Sequence, residues 1–268
     1  MLWLLACSPD RPPPKAPVVD PNPAWAAALL RHVGDDGTID YAGLADEPAL
    51  PRYVGWTAVH GPETDHFRSS DDNKRLAWSI NVVNAQMLWA QVEGFTPQAT
   101  EAETYPRVNV LLDNELVRLD RFVWNYVAPL YEEPMAVAAL ACGVRSCPPL
   151  SPRMYLRNGL DLTLDRRMRL WAASGDLVHE EGGTLVFSPA LRPWMKSFDM
   201  FEGLDTPCAV VAPHAAEPLA TLLRAEPCNY RWGPWDDRRR EGAVDLNHEE
   251  EPVLPDVPEP EDEAEPAQ

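Results

Sequence analysis

Between residues 74 and 92 the apolar positions recur three and four apart: Leu76, Ile80, Val83, Met87 and Leu88. That spacing predicts a helix with one apolar face. Ser70-Asp71-Asp72-Asn73 precedes it and supplies capping side chains. The same reasoning marks the rest of the chain. Residues 22–33 read as a helix, with Asn22 able to cap and Pro23 suited to the first helical position. A turn at 34–37 leads to a short extended piece, 38–41, and a second helix is expected over 48–59. After a loop at 94–106, residues 108–112 read as a strand and 119–127 as a short helix. Residues 151–171 form an amphipathic, Arg-rich stretch, expected as one or two helices broken near Gly159. Residues 183–187 read as a strand entered by a Gly-Gly turn. A helix from about residue 190 carries Trp194, Met195 and Phe198. Residues 208–211 are a strand candidate, 217–223 read as helical, and 228–236 are extended and aromatic. The pattern predicts a single helix-rich α+β domain with a small sheet, over residues 22–240.

One stretch breaks the helical rhythm. Ala138 to Leu150 runs apolar, turns at Gly143, presents Arg145-Ser146-Cys147 and is stopped by Pro148-Pro149. Pro148 biases Cys147 towards extended backbone. A thiol so held suits a nucleophile, or half of a structural disulfide. Asn81 and Asn84 sit three apart on the 74–92 helix, beside its apolar stripe. Amides there are costly to bury unless paired. Either they bond neighbouring backbone and fix a loop, or they line a polar pocket.

Composition adds boundaries at both ends. The 268 residues carry a formal charge of −19 and ten Trp. Acidic residues and prolines fill 249–268 with no Lys or Arg, so 241–268 is expected as an acidic disordered tail. The charge argues against nucleic acid as partner, because phosphates would be repelled. No metal-ligand or cofactor-cradling motif stands out. His60, Asp65 and His66 lie close in sequence but read as a polar loop. At the other end, Leu4-Leu5-Ala6-Cys7 is similar to a lipobox, which makes Cys7 the candidate lipidation site. The apolar run of residues 1–7 is short and lacks a basic start, so the true signal is expected to begin upstream. Residues 8–21 are Pro-rich and suit a stiff tether. Together these imply a domain anchored by lipid in a bacterial cell envelope, on the periplasmic or surface side.

Four pieces, taken in order, resemble the family known as domain of unknown function 547. They are the Asn81–Asn84 helix, Leu119-Asp120-Arg121-Phe122, the run Ala139 to Leu150 with its Ser146-Cys147-Pro148-Pro149-Leu150, and Val186-Phe187-Ser188 with Trp194 and Phe198. Trp232 to Asp236 is a weaker last match. The likeness covers about residues 36–238. Where the family carries a His ahead of the first Cys, this chain has Val137; where it has a Tyr between the two Asn, this chain has Val83.

The chemistry then divides. If Cys147 is a free thiol, Arg145 could lower its pKa, Asn81 or Asn84 could orient a substrate or stabilise an oxyanion, and His179 or His214 could serve as base. That describes a thiol-dependent hydrolase or acyltransferase. If the chain is exported, Cys142, Cys147, Cys208 and Cys228 are disulfide candidates. Of the three possible connectivities, Cys142–Cys147 with Cys208–Cys228 is the most local. That describes a non-catalytic or degenerate binding module for a small molecule or an envelope protein.

Overall fold

The computed structural model describes residues 21–65, 72–97, 104–127, 134–198 and 202–244. Cys7, the 8–21 tether but for Pro21, Ser70, Asp71, His66 and all but the start of the acidic tail lie outside the described residues.

The fold is built around one long helix. In chain order the helices are α1 (Asn22–His32), α2 (Tyr41–Asp46), α3 (Ala49–Thr57) and α4 (Asp72–Val92). A hairpin follows, β1 (Asn109–Leu112) and β2 (Glu115–Arg118), then the single turn α5 (Leu119–Phe122). After the cysteine stretch come α6 (Leu160–Ala173), β3 (Val178–Glu181) and β4 (Thr184–Phe187). Three short helices, α7 (Met195–Phe198), α8 (Pro207–Val211) and α9 (Leu219–Leu223), lead to β5 (Tyr230–Trp232). The architecture is a helix-rich α+β domain with two small sheets.

α4 is buried on more than the predicted face. Leu76, Ile80, Val83, Met87 and Leu88 are buried, and so are Ala77, Ser79, Val82 and Ala85. The reason is its position between two apolar clusters. Ala85 and Leu88 join Trp25, Leu29, Leu44, Leu50 and Tyr53 of α1–α3. Leu76, Ile80, Val83 and Met87 join α5, α6, β4 and α8. A helix covered on several sides loses the clean stripe of a surface helix.

The sheets follow from their turns. Asp113 and Asn114 both adopt left-handed backbone, the two-residue turn that joins β1 to β2. Gly182 and Gly183 do the same between β3 and β4. β4 then pairs in parallel with β5, giving the order β3-β4-β5.

Several expectations are corrected. Residues 208–211 are helical: Thr206 caps α8 by accepting from Ala209 N, and Pro207 opens it. A four-residue apolar run cannot be told from a strand by periodicity alone. Asn22 is the first residue of α1, and Pro21 occupies the cap position without a side-chain bond. Tyr41 is helical because Asp40 caps α2 through Gly43 N; only Ile39 keeps the extended role, bridging Val33 and Glu241. Residues 151–159 are irregular, and the helix begins after Gly159, whose φ is +69°. The 119–127 helix breaks into α5 and a π turn, Val123–Val127. The helix after Ser188 is a tight 3-10 turn, Arg192–Trp194, followed by α7. Near the C-terminal end of the domain, Gly242 N donates to Ile39 O.

α1 and α2 are held by a charged clasp. His32 lies between Asp40, 3.1 Å from Nδ1, and Glu47, 3.6 Å from Nε2, and Arg31 also bonds Glu47. The Gly43 N–H and the His32 ring hold the Asp40 carboxyl below its usual range. Burial pushes Glu47 up, but Arg31, the Ala49 N–H and His32 outweigh it, so Glu47 also sits low. Both acids thus release protons more readily folded than unfolded. Their stabilisation is complete above the ordinary carboxyl value and is lost as pH falls through the depressed values. We expect the urea midpoint to stay level down to about pH 5 and to drop below about pH 4.5. The drop should be shallower in an Asp40→Asn/Glu47→Gln variant; equal slopes in the two proteins would refute the clasp.

Candidate functional site

The run from Ala136 to Val144 is buried throughout, yet most of it has no regular structure. Pro134–Ala139 make a 3-10 turn, and the chain then passes irregularly to Cys142. Buried backbone without a ladder must find other partners. They come from side chains. Asn84 Nδ2 donates to Ala139 O at 2.9 Å, and its Oδ1 accepts from Ala141 N at 3.1 Å. Tyr105 OH donates to Leu140 O at 3.2 Å. Gln91 Nε2 donates to Cys142 O at 2.7 Å. Tyr41 OH donates to Gln91 Oε1 at 2.9 Å and reaches Gly143 O at 3.2 Å. Burial raises the pKa of both tyrosines well above the usual phenol value, so each stays a donor. Asn84 and Gln91 are seven residues apart and share one face of α4.

Asn81 performs the same service elsewhere. Its Nδ2 donates to Tyr155 O at 2.8 Å and its Oδ1 accepts from Tyr155 N at 2.9 Å. Both candidate amides are therefore engaged with backbone, the plainer of the two readings.

Cys142 and Cys147 form a disulfide, with Cα atoms 5.6 Å apart. It closes a ring around Gly143, Val144, Arg145 and Ser146. Gly143 has φ +75°, and a Cβ there would run into Gln91 and the Tyr41 hydroxyl. Only glycine fits the turn and the close approach together. Cys208 and Cys228 form the second disulfide and tie α8 to the segment before β5. The local pairing expected from sequence is the one adopted.

Arg145 is half exposed and its guanidinium lies 4.0 Å from Asp176. The histidines proposed as bases are elsewhere. His214 faces Asp165 at 2.7 Å, and His179 is exposed on β3. His60 stacks on Trp56, with ring centroids 4.6 Å apart, and faces Asp65. Val137 is buried in the core, where a His would have to be desolvated. Among the described residues no cluster of His, Cys, Asp and Glu is arranged to hold a metal.

Sequence reasoning missed Tyr41, Tyr105, Gln91 and the segment 236–242. That segment lies along the disulfide ring. Arg145 N donates to Arg238 O, Ser146 N to Asp236 O, and Arg240 N to Gly143 O. Asp236 N donates to Ser146 Oγ at 2.7 Å. Ser146 O accepts from Ser188 Oγ at 2.5 Å. The run Arg238-Arg239-Arg240, basic in an otherwise acidic C-terminal region, was the available signal.

Comparison of the chain with protein-family models, with curated proteins and with solved structures gave no match.

The amide clamp is testable. Asn84→Ala leaves the Ala139 carbonyl and the Ala141 N–H buried and unpaired, which costs about 2 kcal/mol or more. Asn158→Ala, at an exposed position, should stay within about 0.5 kcal/mol. Chemical denaturation of both variants measures the difference, and similar small losses would remove the clamp as a structural element.

Proposed function

We propose that this chain is an envelope-anchored, non-catalytic binding domain, a divergent member of the domain of unknown function 547 family, in which Cys147 is a staple rather than a nucleophile. The observation that carries the reading is the Cys142–Cys147 disulfide. A sulfur bonded to sulfur cannot attack a carbonyl, since the thiolate is the nucleophile. The groups that a thiol enzyme would borrow are occupied as well. Asn81 and Asn84 hold backbone, and Arg145 faces Asp176. Two disulfides suit an oxidising compartment, which agrees with an exported protein lipidated at Cys7. In this reading Pro-rich residues 8–21 space the domain from the membrane.

Peptide mapping of the purified, non-reduced protein should find Cys142 joined to Cys147 and Cys208 to Cys228. Iodoacetamide near neutral pH should leave all four unlabelled. Rapid labelling of Cys147 would instead favour the thiol-dependent hydrolase or acyltransferase. Replacing Cys142 and Cys147 together by Ala should cost about 2 kcal/mol, the value for so short a closed loop. Mass spectrometry of membrane fractions tests the anchor: a lipid-modified Cys7 is expected, and an unmodified Met1 would refute it.

A further inference from the structure

Segment 236–242 threads between two partners. On one side it bonds Gly143, Arg145 and Ser146 of the disulfide ring. On the other, Ile39 N donates to Arg240 O at 2.6 Å, and Gly242 N returns to Ile39 O at 3.3 Å. Val144 bridges Arg239 and Ile39 bridges Glu241. The slot is thus two short backbone edges with an extended chain between them.

The occupant is unusual in what holds it. Residues 236–244 read Asp-Asp-Arg-Arg-Arg-Glu-Gly-Ala-Val and place no buried apolar side chain in the core. Two arginines do the anchoring. The Arg240 side chain is 8% exposed. Its Nη2 alone makes the contacts, shared among Arg145 O at 3.1 Å, Cys147 O at 3.2 Å and Asp176 Oδ2 at 2.8 Å. Arg239 lies over the Tyr41 ring, 5.1 Å from its centroid, and reaches Gln91 O. Arg238 stays exposed and folds back on Asp236. The second socket has a cost: Arg240 Nε is buried without a partner, and desolvation opposes its charge. Beyond Trp235, which packs on the core, the segment is held by backbone bonds and two cations and by no apolar anchor of its own, the kind of segment that can open locally.

We propose that the slot between Ile39 and Gly143–Ser146 is a binding site for an extended polypeptide bearing two adjacent arginines, and that segment 236–242 is its intramolecular occupant. Backbone bonds to both edges give affinity without regard to sequence, as in strand addition. The two sockets give selectivity for two adjacent cations: Arg145 O, Cys147 O and Asp176 Oδ2 surround the Arg240 Nη2, and the Tyr41 ring takes Arg239. The disulfide fixes the ring that forms one edge. The inference rests on the domain being a binding module and names its partner class.

Two experiments on the full chain test it. The first titrates a fluorescein-labelled peptide of residues 235–244 with wild-type protein and with an Arg239→Ser/Arg240→Ser variant. The variant, its own occupant weakened, should bind at least tenfold more tightly than wild type. Asp176→Asn added to it should weaken binding severalfold, and a peptide with Ser at both arginines should not bind. Equal binding by the Ser peptide, or none by a folded variant, overturns the proposal. The second keeps the native sequence of the slot should the variant not fold. A protease site placed between Gly233 and Pro234 is cut, and the nicked protein is mixed with labelled peptide. Exchange of the C-terminal fragment for the peptide supports the slot; a fragment that never exchanges makes it a permanent part of the fold. Bridged cysteines with no exchange would sink the slot while leaving the stapled-module reading intact.

Discussion

An irregular chain buried in a protein core has to place its peptide groups on something. Here the burden falls on α4. Its amides at Asn81, Asn84 and Gln91 turn a helix face into a set of backbone receptors, and Tyr41 and Tyr105 complete it. Without them the carbonyls of Ala139, Leu140 and Cys142 would sit unsatisfied among buried apolar side chains, at about 1–3 kcal/mol each. The arrangement explains why α4 carries polar residues although it is covered on several sides. It also explains why the cysteine ring is held so firmly: its entry at Cys142 and its turn at Gly143 are bonded through Gln91 and Tyr41.

The same constraint orders the other elements. α1–α3 pack on one side of α4 and deliver Tyr41 to Gln91. α5, α6 and β4 pack on the other side, beside Tyr105. Ser188, just after β4, bonds Ser146 O. The ring therefore receives bonds from helix, sheet and C-terminal segment together. Few of the ring's peptide groups are left to solvent.

Much of this was readable before the structure. The period of α4 gave its apolar core residues, and paired amides beside an apolar stripe signalled a need for partners. The local disulfide pairing was legible because Gly143 makes a tight ring geometrically easy. The partners themselves were not legible. Tyr155 lies 74 residues from Asn81, and Tyr41 lies 102 from Gly143. Periodicity reports which face is buried and not what it meets. Short elements failed for a local reason. Residues 208–211 are too few to show a period, and the cap at Thr206-Pro207 decided the matter.

The triple arginine shows where charge counting misleads. A formal charge of −19 directs attention to acidic surfaces, and three cations near the C-terminus look like solvated exceptions. Two of the three are instead seated. Arg240 is enclosed by carbonyls and Asp176, and Arg239 lies on an aromatic face. Burying a guanidinium is costly unless each donor finds an acceptor, and Nε of Arg240 does not. An apolar side chain there alone would leave Asp176 and the Arg145 and Cys147 carbonyls without that donor, so cation and seat depend on each other.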